Sequence, residues 1–399
     1  MTNLRAQFNQ LTDLLIQTQC YWRPVAFHHL QLPWMAQHPL LVTRLFALTP
    51  HQVEQLARDH SALLDYVALD ISGVQELTQL SHLLPLKQHT LADVTPHFYS
   101  GMPGRKWQQI NAFAASCSDS QLPLLEWCAG KSYLGFYLQH LYKAQVTALE
   151  WDADLVLQAN NRAQQSNINL HSHQVDVLSS RATNFIQQQQ QIVALHACGE
   201  LHERLLKLGV EHKTQQLHIA PCCYHKRQHD EYQPLSQQGK QANLSLNKAE
   251  LHTAVMETVT AGATVQRQRK RLQSMRLGFD CLQRDINNSD TFLDLPSLPA
   301  KWARASFREF CLHCATIKDL TLPAVVDWGH YQALGEQRFN QVSAIDLVRF
   351  LFRRPIEVWL ALDRALLLQE QGYAVQVGTF CPSHITPRNI LIQAHLASN

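Results

Sequence analysis

Residues Leu122–Gly135 read L-P-L-L-E-W-C-A-G-K-S-Y-L-G. The apolar run Leu122–Leu125 has the character of a buried parallel strand. It ends at Glu126 and breaks into a turn that holds Gly130 and Gly135, after which Phe136–Tyr142 opens as a helix. Strand, glycine turn and helix in that order is how a Rossmann-type sheet holds a nucleotide. Gly130 lets the backbone come close to a ligand that a Cβ would obstruct. The phosphate fingerprint G-x-G-x-x-G is absent: position 128 is Cys, and the glycine after Gly130 comes at 135. A turn with so few glycines suits a cofactor with an amino-acid tail better than one with a pyrophosphate. An ordinary strand–turn–helix corner would read the same way.

The segments that follow favour a nucleotide site. Ala144–Glu150 is a second β-like run and ends in Glu150-Trp151-Asp152. A carboxylate there, about 20 residues past the glycine turn, is placed to hydrogen-bond ribose hydroxyls. Trp151 can pack on an adenine face. A third run, His173–Leu178, carries Asp176, an acceptor for an adenine amino group. The fourth, Gln191–Leu195, leads into H-A-C-G-E (196–200), and the fifth, Gln216–Ala220, into P-C-C-Y-H-K (221–226). Polar and reactive side chains therefore stand at the end of every strand, the edge where open α/β sheets bind ligands.

Together, W-C-A-G-K-S-Y-L-G, A-L-E-W-D, A-L-H-A-C-G-E-L and A-P-C-C-Y-H-K resemble the class I S-adenosylmethionine-dependent methyltransferases of the methyltransferase-like group. That group includes the glutathione-S-transferase-C-terminal-domain-containing protein. The pair H-A-C-G and P-C-C-Y-H is also similar to a motif pair of a eukaryotic tRNA 2′-O-methyltransferase family. The resemblance spans roughly Pro96–Arg227 and resumes over Pro355–Ala394. It implies a Rossmann-like α/β fold with a seven-stranded methyltransferase sheet, an N-terminal helical domain and a late insertion. It implies S-adenosylmethionine as cofactor, held by Glu126, Cys128, Gly130, Glu150, Trp151 and Asp176, with Glu126 and Gly130 facing the methionine part. RNA (tRNA or rRNA) is the expected acceptor. A protein, a small molecule, or a cofactor-binding module without catalysis are the alternatives. Acceptor-side candidates are His196, Cys198, Cys222, Cys223, Tyr224 and His225. His196 suits a general base. The base-amine motif N/D-P-P-Y/F is replaced by H-A-C-G, so exocyclic-amine chemistry by that route is not supported. No metal site is expected, because the adjacent Cys222 and Cys223 are poor paired ligands.

The rest of the chain is read around this core. Hydrophobic residues make up 46% and charged residues 17%, enough for a large core and against global disorder. A formal net charge of +2 argues against coating nucleic acid by bulk charge and leaves room for a local patch. That patch is Arg267, Arg269, Lys270 and Arg271 on a long helical pattern over Leu244–Leu277, the feature that would contact RNA. No protein partner is evident. No leader pattern or membrane span is visible and the cysteines are scattered, so a cytoplasmic setting is expected. Thr49 caps a helix with Pro50 at its first position. Cys311-x-x-Cys314 lacks a partner pair. A second long helical pattern covers Gln341–Gln371, and closing strands fall at Tyr373–Phe380 and Asn389–Gln393. Four spans follow: an N-terminal helical domain (1–95), the first five core strands (96–240), a long helix and insertion (241–340), and a closing helix with two strands (341–399).

Overall fold

The computed structural model describes residues 3–95, 98–117, 120–256 and 263–397. Seven strands form one sheet: β1 (Leu124–Trp127), β2 (Val146–Glu150), β3 (Leu170–Gln174), β4 (Gln191–Cys198), β5 (Gln216–Cys222), β6 (Tyr373–Thr379) and β7 (Ile390–Leu396). Their order is β3-β2-β1-β4-β5-β7-β6. The first five strands are mutually parallel, and β7 runs antiparallel to both β5 and β6. The order reverses between β1 and β4, which opens a crevice at the carboxyl ends of those strands. This is the Rossmann-like methyltransferase sheet that the resemblance implied.

The strands form because they are buried. All four residues of β1 are inaccessible, and β4 and β5 are buried over most of their length. Ile110, Phe113 and Ala114 of the Gly104–Ser116 helix pack with Tyr133, Leu134 and Tyr137 of the Tyr133–Tyr142 helix in one apolar cluster. Several boundaries differ from expectation, with β4 running on to Cys198, β5 to Cys222 and β7 to Leu396. Strand β1 includes Glu126 and Trp127, because the Trp127 indole is buried and its Nε1–H donates to the Leu201 carbonyl at 2.9 Å. The third strand ends at Gln174, so Asp176 lies in the following loop. Val175 and Val177 are buried there and mimic a strand in sequence.

Two compact units emerge, the first made of Met1–Ile16, Leu77–Val255 and Arg354–Asn399, the second of Gln17–Glu76 and Met256–Arg353. They cut across the four spans expected from sequence, whose boundary at Pro96 lies, with His97, outside the described residues. Phe8 of the Leu4–Gln17 helix stacks on Trp359 at 5.1 Å, which ties the first helix to the sheet unit. The Gln341–Gln371 pattern is two helices, Trp328–Phe350 and Arg353–Glu370. Pro355 has no N–H and is tolerated only in a first turn, so the chain restarts just before it. The Leu244–Leu277 pattern divides similarly into Lys248–Thr253 and Ala263–Asn287, with residues 257–262 outside the description.

In the second unit the Ala263–Asn287 helix carries Asp280, which takes ion pairs from Arg284 (2.8 Å) and Arg338 (2.6 Å). Cys311 and Cys314 are buried in an apolar cluster with Phe307 and Phe310, so their spacing reflects one packed face of a helix. The Thr49 cap forms as expected, with its hydroxyl accepting the Gln52 N–H. No described helix is long and apolar enough to cross a membrane.

Candidate active site

The chain leaves β1 through a loop in which alternate residues are left-handed: Cys128 (φ 56°), Gly130 (58°) and Ser132 (51°). Glycine adopts this conformation without penalty, whereas other residues lose about 1 kcal/mol each. The loop thus has the shape of a glycine-rich turn with glycine only at its middle position. Glu126 holds it. This carboxylate accepts the Ser132 hydroxyl and the Gly135 N–H (3.0 Å) and is 4% exposed. Burial pushes its pKa up to about 7, against the pull of those two hydrogen bonds and of nearby Lys106. Glu126 therefore braces the loop through its Oε2. Gly135 belongs to the Tyr133–Tyr142 helix and not to the turn.

Glu150, at the end of β2, closes the other side. Its Oε2 accepts the Gly130 N–H at 2.8 Å, and its Oε1 accepts Trp151 N–H (3.0 Å) and Asp152 N–H (3.1 Å). A carboxylate has about four lone-pair sites. These three bonds leave one, so a bidentate ribose contact requires Gly130 N–H to move aside. Trp151 is 73% exposed. Asp176 is also exposed, with Oδ1 accepting the Leu178 N–H at 3.0 Å. Cys128 is close enough to both halves of the crevice for Glu150, Asp176 and Cys198 to act on its thiol. Burial raises its thiol pKa, and Glu150, Cys198, Asp176 and Glu126 raise it further.

Across the crevice, β4 carries a bulge. Leu195 pairs with Ala220, but Cys198 pairs with Cys222, so β4 advances three residues while β5 advances two. His196 sits in the bulge at φ 66°. Its Nε2 lies 3.2 Å from Gln109 Oε1, while Gln109 donates its amide N–H to the Ile385 carbonyl. An amide oxygen only accepts, so His196 carries its proton on Nε2 and a lone pair on Nδ1. That Nδ1 is buried and has no hydrogen-bond partner. Burial, with Arg388 and Lys106 nearby, lowers the His196 pKa to about 4, so the ring is neutral.

The bulge also gathers sulfur. The Sγ atoms of Cys198, Cys222 and Cys223 lie within 4.8 Å of one another, and Cys198 and Cys222 are 3.5 Å apart. Gly199 lies where β4 meets the loop after β5. Its N–H donates to the Cys222 carbonyl, and the Glu200 N–H donates to the Lys226 carbonyl. With φ +53°, a Cβ on residue 199 would stand 1.9 Å from the Lys226 oxygen, so only glycine fits. Tyr224 turns the other way. It is fully buried, with Arg364 4.8 Å from its ring centroid, so it is part of the packing and not of the crevice. His225 is half-buried, with its ring 4.8 Å from that of His252. Gln109 and Arg388 act on His196 but were not picked out from the sequence. Each comes from a distant segment, and no local spacing marks it.

Residues 105–230 match the family model described as a methyltransferase domain. This segment is a methyltransferase domain. The segment holds β1 to β5 and the crevice between β1 and β4. The fold is similar to that of TehB from Haemophilus influenzae, at 20% identity over 25% of this chain and 36% of that one, with a TM-score of 0.21. TrmK from M. capricolum, solved with S-adenosyl-homocysteine, is similar at 13% identity over 28% and 50%, with a TM-score of 0.24. Coclaurine N-methyltransferase, solved with N-methylheliamine and S-adenosyl-homocysteine, is similar at 13% identity over 78% and 94%, with a TM-score of 0.28. The chain spans less than two thirds of the length of the first two. No curated protein matches the sequence.

Proposed function

We propose that this chain is an active methyltransferase whose acceptor is RNA, either tRNA or rRNA. The observation that carries the substrate class is the exposed cationic run Arg267, Arg269, Lys270 and Arg271 on the Ala263–Asn287 helix. Arg267, Lys270 and Arg271 line a cavity of about 300 Å³ that also takes in Phe307 and Phe339. Lys270 Nζ lies 5.6 Å from the Phe339 ring centroid. Clustered cations suit phosphates, which supply most sequence-independent RNA affinity. The similarity of H-A-C-G and P-C-C-Y-H to a tRNA 2′-O-methyltransferase family supports the same reading.

When bound, S-adenosylmethionine supplies a sulfonium methyl group for in-line displacement. Gly130, Glu150, Trp151 and Asp176 are the residues that would hold it, on a loop that contains Cys128 and is braced by Glu126. The fit rests on the lone pair left at Glu150, on the open space where a Gly130 Cβ would point, and on the exposed indole of Trp151. His196 is the general base: Gln109 fixes its ring so that Nδ1 takes the acceptor's proton.

The test gives the purified chain methyl-labelled S-adenosylmethionine with total tRNA and rRNA, then resolves the nucleosides by mass spectrometry. A methylated nucleoside that appears only with active protein is expected. Reversing Arg269 and Lys270 to Glu should weaken RNA binding across all sequences and flatten its salt dependence, with cofactor affinity unchanged. Label in protein or small molecules but not in RNA overturns the substrate class. Cofactor binding with no labelled product of any kind overturns catalysis.

A further inference from the structure

We infer that Cys198, Cys222 and Cys223 form a binding site for a soft divalent metal ion, zinc, at the ends of β4 and β5. Zinc bound by thiolates at about 2.3 Å in a tetrahedron separates neighbouring sulfurs by about 3.8 Å. Cys198 and Cys222 are already 3.5 Å apart, and all three sulfurs lie within 4.8 Å of one another. Two backbone features produce this. The bulge at His196 brings Cys198 opposite Cys222. Cys223 lies just past the end of β5 at φ 47°. In a continuing strand, adjacent side chains would point to opposite faces. Here the left-handed residue returns the second sulfur to the side of the first, which removes the objection to an adjacent pair.

The surroundings suit the chemistry. Three thiolates and one Zn²⁺ leave a net charge of −1, and Lys226 and Arg388 act on Cys223 electrostatically. Binding forms three S–Zn bonds, breaks three S–H bonds and releases the protons to solvent. Among the described residues, no His, Cys, Asp or Glu converges with these three as a fourth ligand. Cys198 and Cys223 are half-buried, so that position is accessible. Structural zinc sites are closed by four protein ligands, whereas reactive ones keep a position open. The open position would take water or a nitrogen, oxygen or sulfur atom of the acceptor. That last use rests on the proposed methyltransferase function; zinc binding itself does not.

The test uses the full untagged chain, reduced and stripped by chelator, then loaded with Zn²⁺ alone and dialysed. One zinc per chain is expected by elemental analysis. Replacement by Co²⁺ should give the near-ultraviolet charge-transfer absorption of cobalt thiolates. Cys198→Ser and Cys223→Ser should each weaken zinc binding at least tenfold while keeping the wild-type far-ultraviolet circular dichroism. Cys20→Ser, at a half-buried thiol of the second unit, should change nothing. Absence of zinc, cobalt bound without the thiolate band, or zinc retained by both variants would each overturn the site. So would a protein lighter by two hydrogens through a Cys198–Cys222 disulfide that takes no zinc. Titration of S-adenosylmethionine into the same samples separates the two claims: zinc without cofactor binding leaves the metal site standing and removes the methyltransferase reading.

Discussion

The two halves of the crevice are built on opposite principles. On the β1–β2 side the carboxylates are engaged: Glu126 by Ser132 and Gly135, and Glu150 by three backbone N–H groups. On the β4–β5 side, His196 Nδ1 and His225 Nδ1 are buried without partners, and three sulfurs face one another. Buried polar groups are normally satisfied, and leaving one unpaired costs about 1–3 kcal/mol. The first half is thus a preorganised cradle, while the second keeps two imidazole nitrogens without hydrogen bonds beside three clustered sulfurs. A cofactor common to many reactions suits the first arrangement, and a particular acceptor suits the second.

The largest effect that would break this comparison is at Gly199. Gly199→Ala puts a Cβ against the Lys226 carbonyl at a positive φ, and should destabilise the chain by about 3 kcal/mol through overpacking and backbone strain. In the protein that still folds, cofactor affinity should survive while methyl transfer falls. Denaturant midpoints with calorimetric titration measure both. If cofactor binding falls in step with transfer, the two halves are not independent.

Glu126 gives a smaller, pH-dependent effect. Its folded pKa of about 7 lies above the ordinary 4.5, so the protonated form is favoured by folding. The stability this contributes is fully present below about pH 4.5 and is lost as pH rises through about 7, at no more than ~1.4 kcal/mol per pH unit. Glu126→Gln cannot ionise and should flatten that part of the stability profile. Identical slopes for wild type and variant in urea unfolding would mean that Glu126 is not held as the acid in the folded state.

Much of the cradle was legible in sequence because it is local. Six of the seven β-like runs fell on strands, the third overlapped β3 only at His173 and Gln174, and Glu126 and Glu150 fell at or near the ends of the first two strands. Their roles were less legible. Counting glycines missed that Cys128 and Ser132 adopt the left-handed conformation, which Glu126 supports through Ser132. The β4–β5 half depends on register. Cys198 and Cys222 are brought together by one extra residue in β4, and no spacing in the chain announces a bulge. Gln109 and Arg388 act on His196 from segments far apart in the chain. Tyr224 shows the converse: it belongs to a reactive-looking motif, yet it points into the core.

The central claim is that the cofactor lies over the ends of β1 and β2, held by Glu150. Isothermal titration of S-adenosylmethionine into wild type and Glu150→Ala tests it most directly. The variant loses the carboxylate proposed to accept the ribose hydroxyls, and with it the hold on Gly130 N–H. It should bind more weakly by at least ~1 kcal/mol, about fivefold, because hydrogen bonds to charged groups contribute that much or more. Equal affinity for the two proteins would contradict the account.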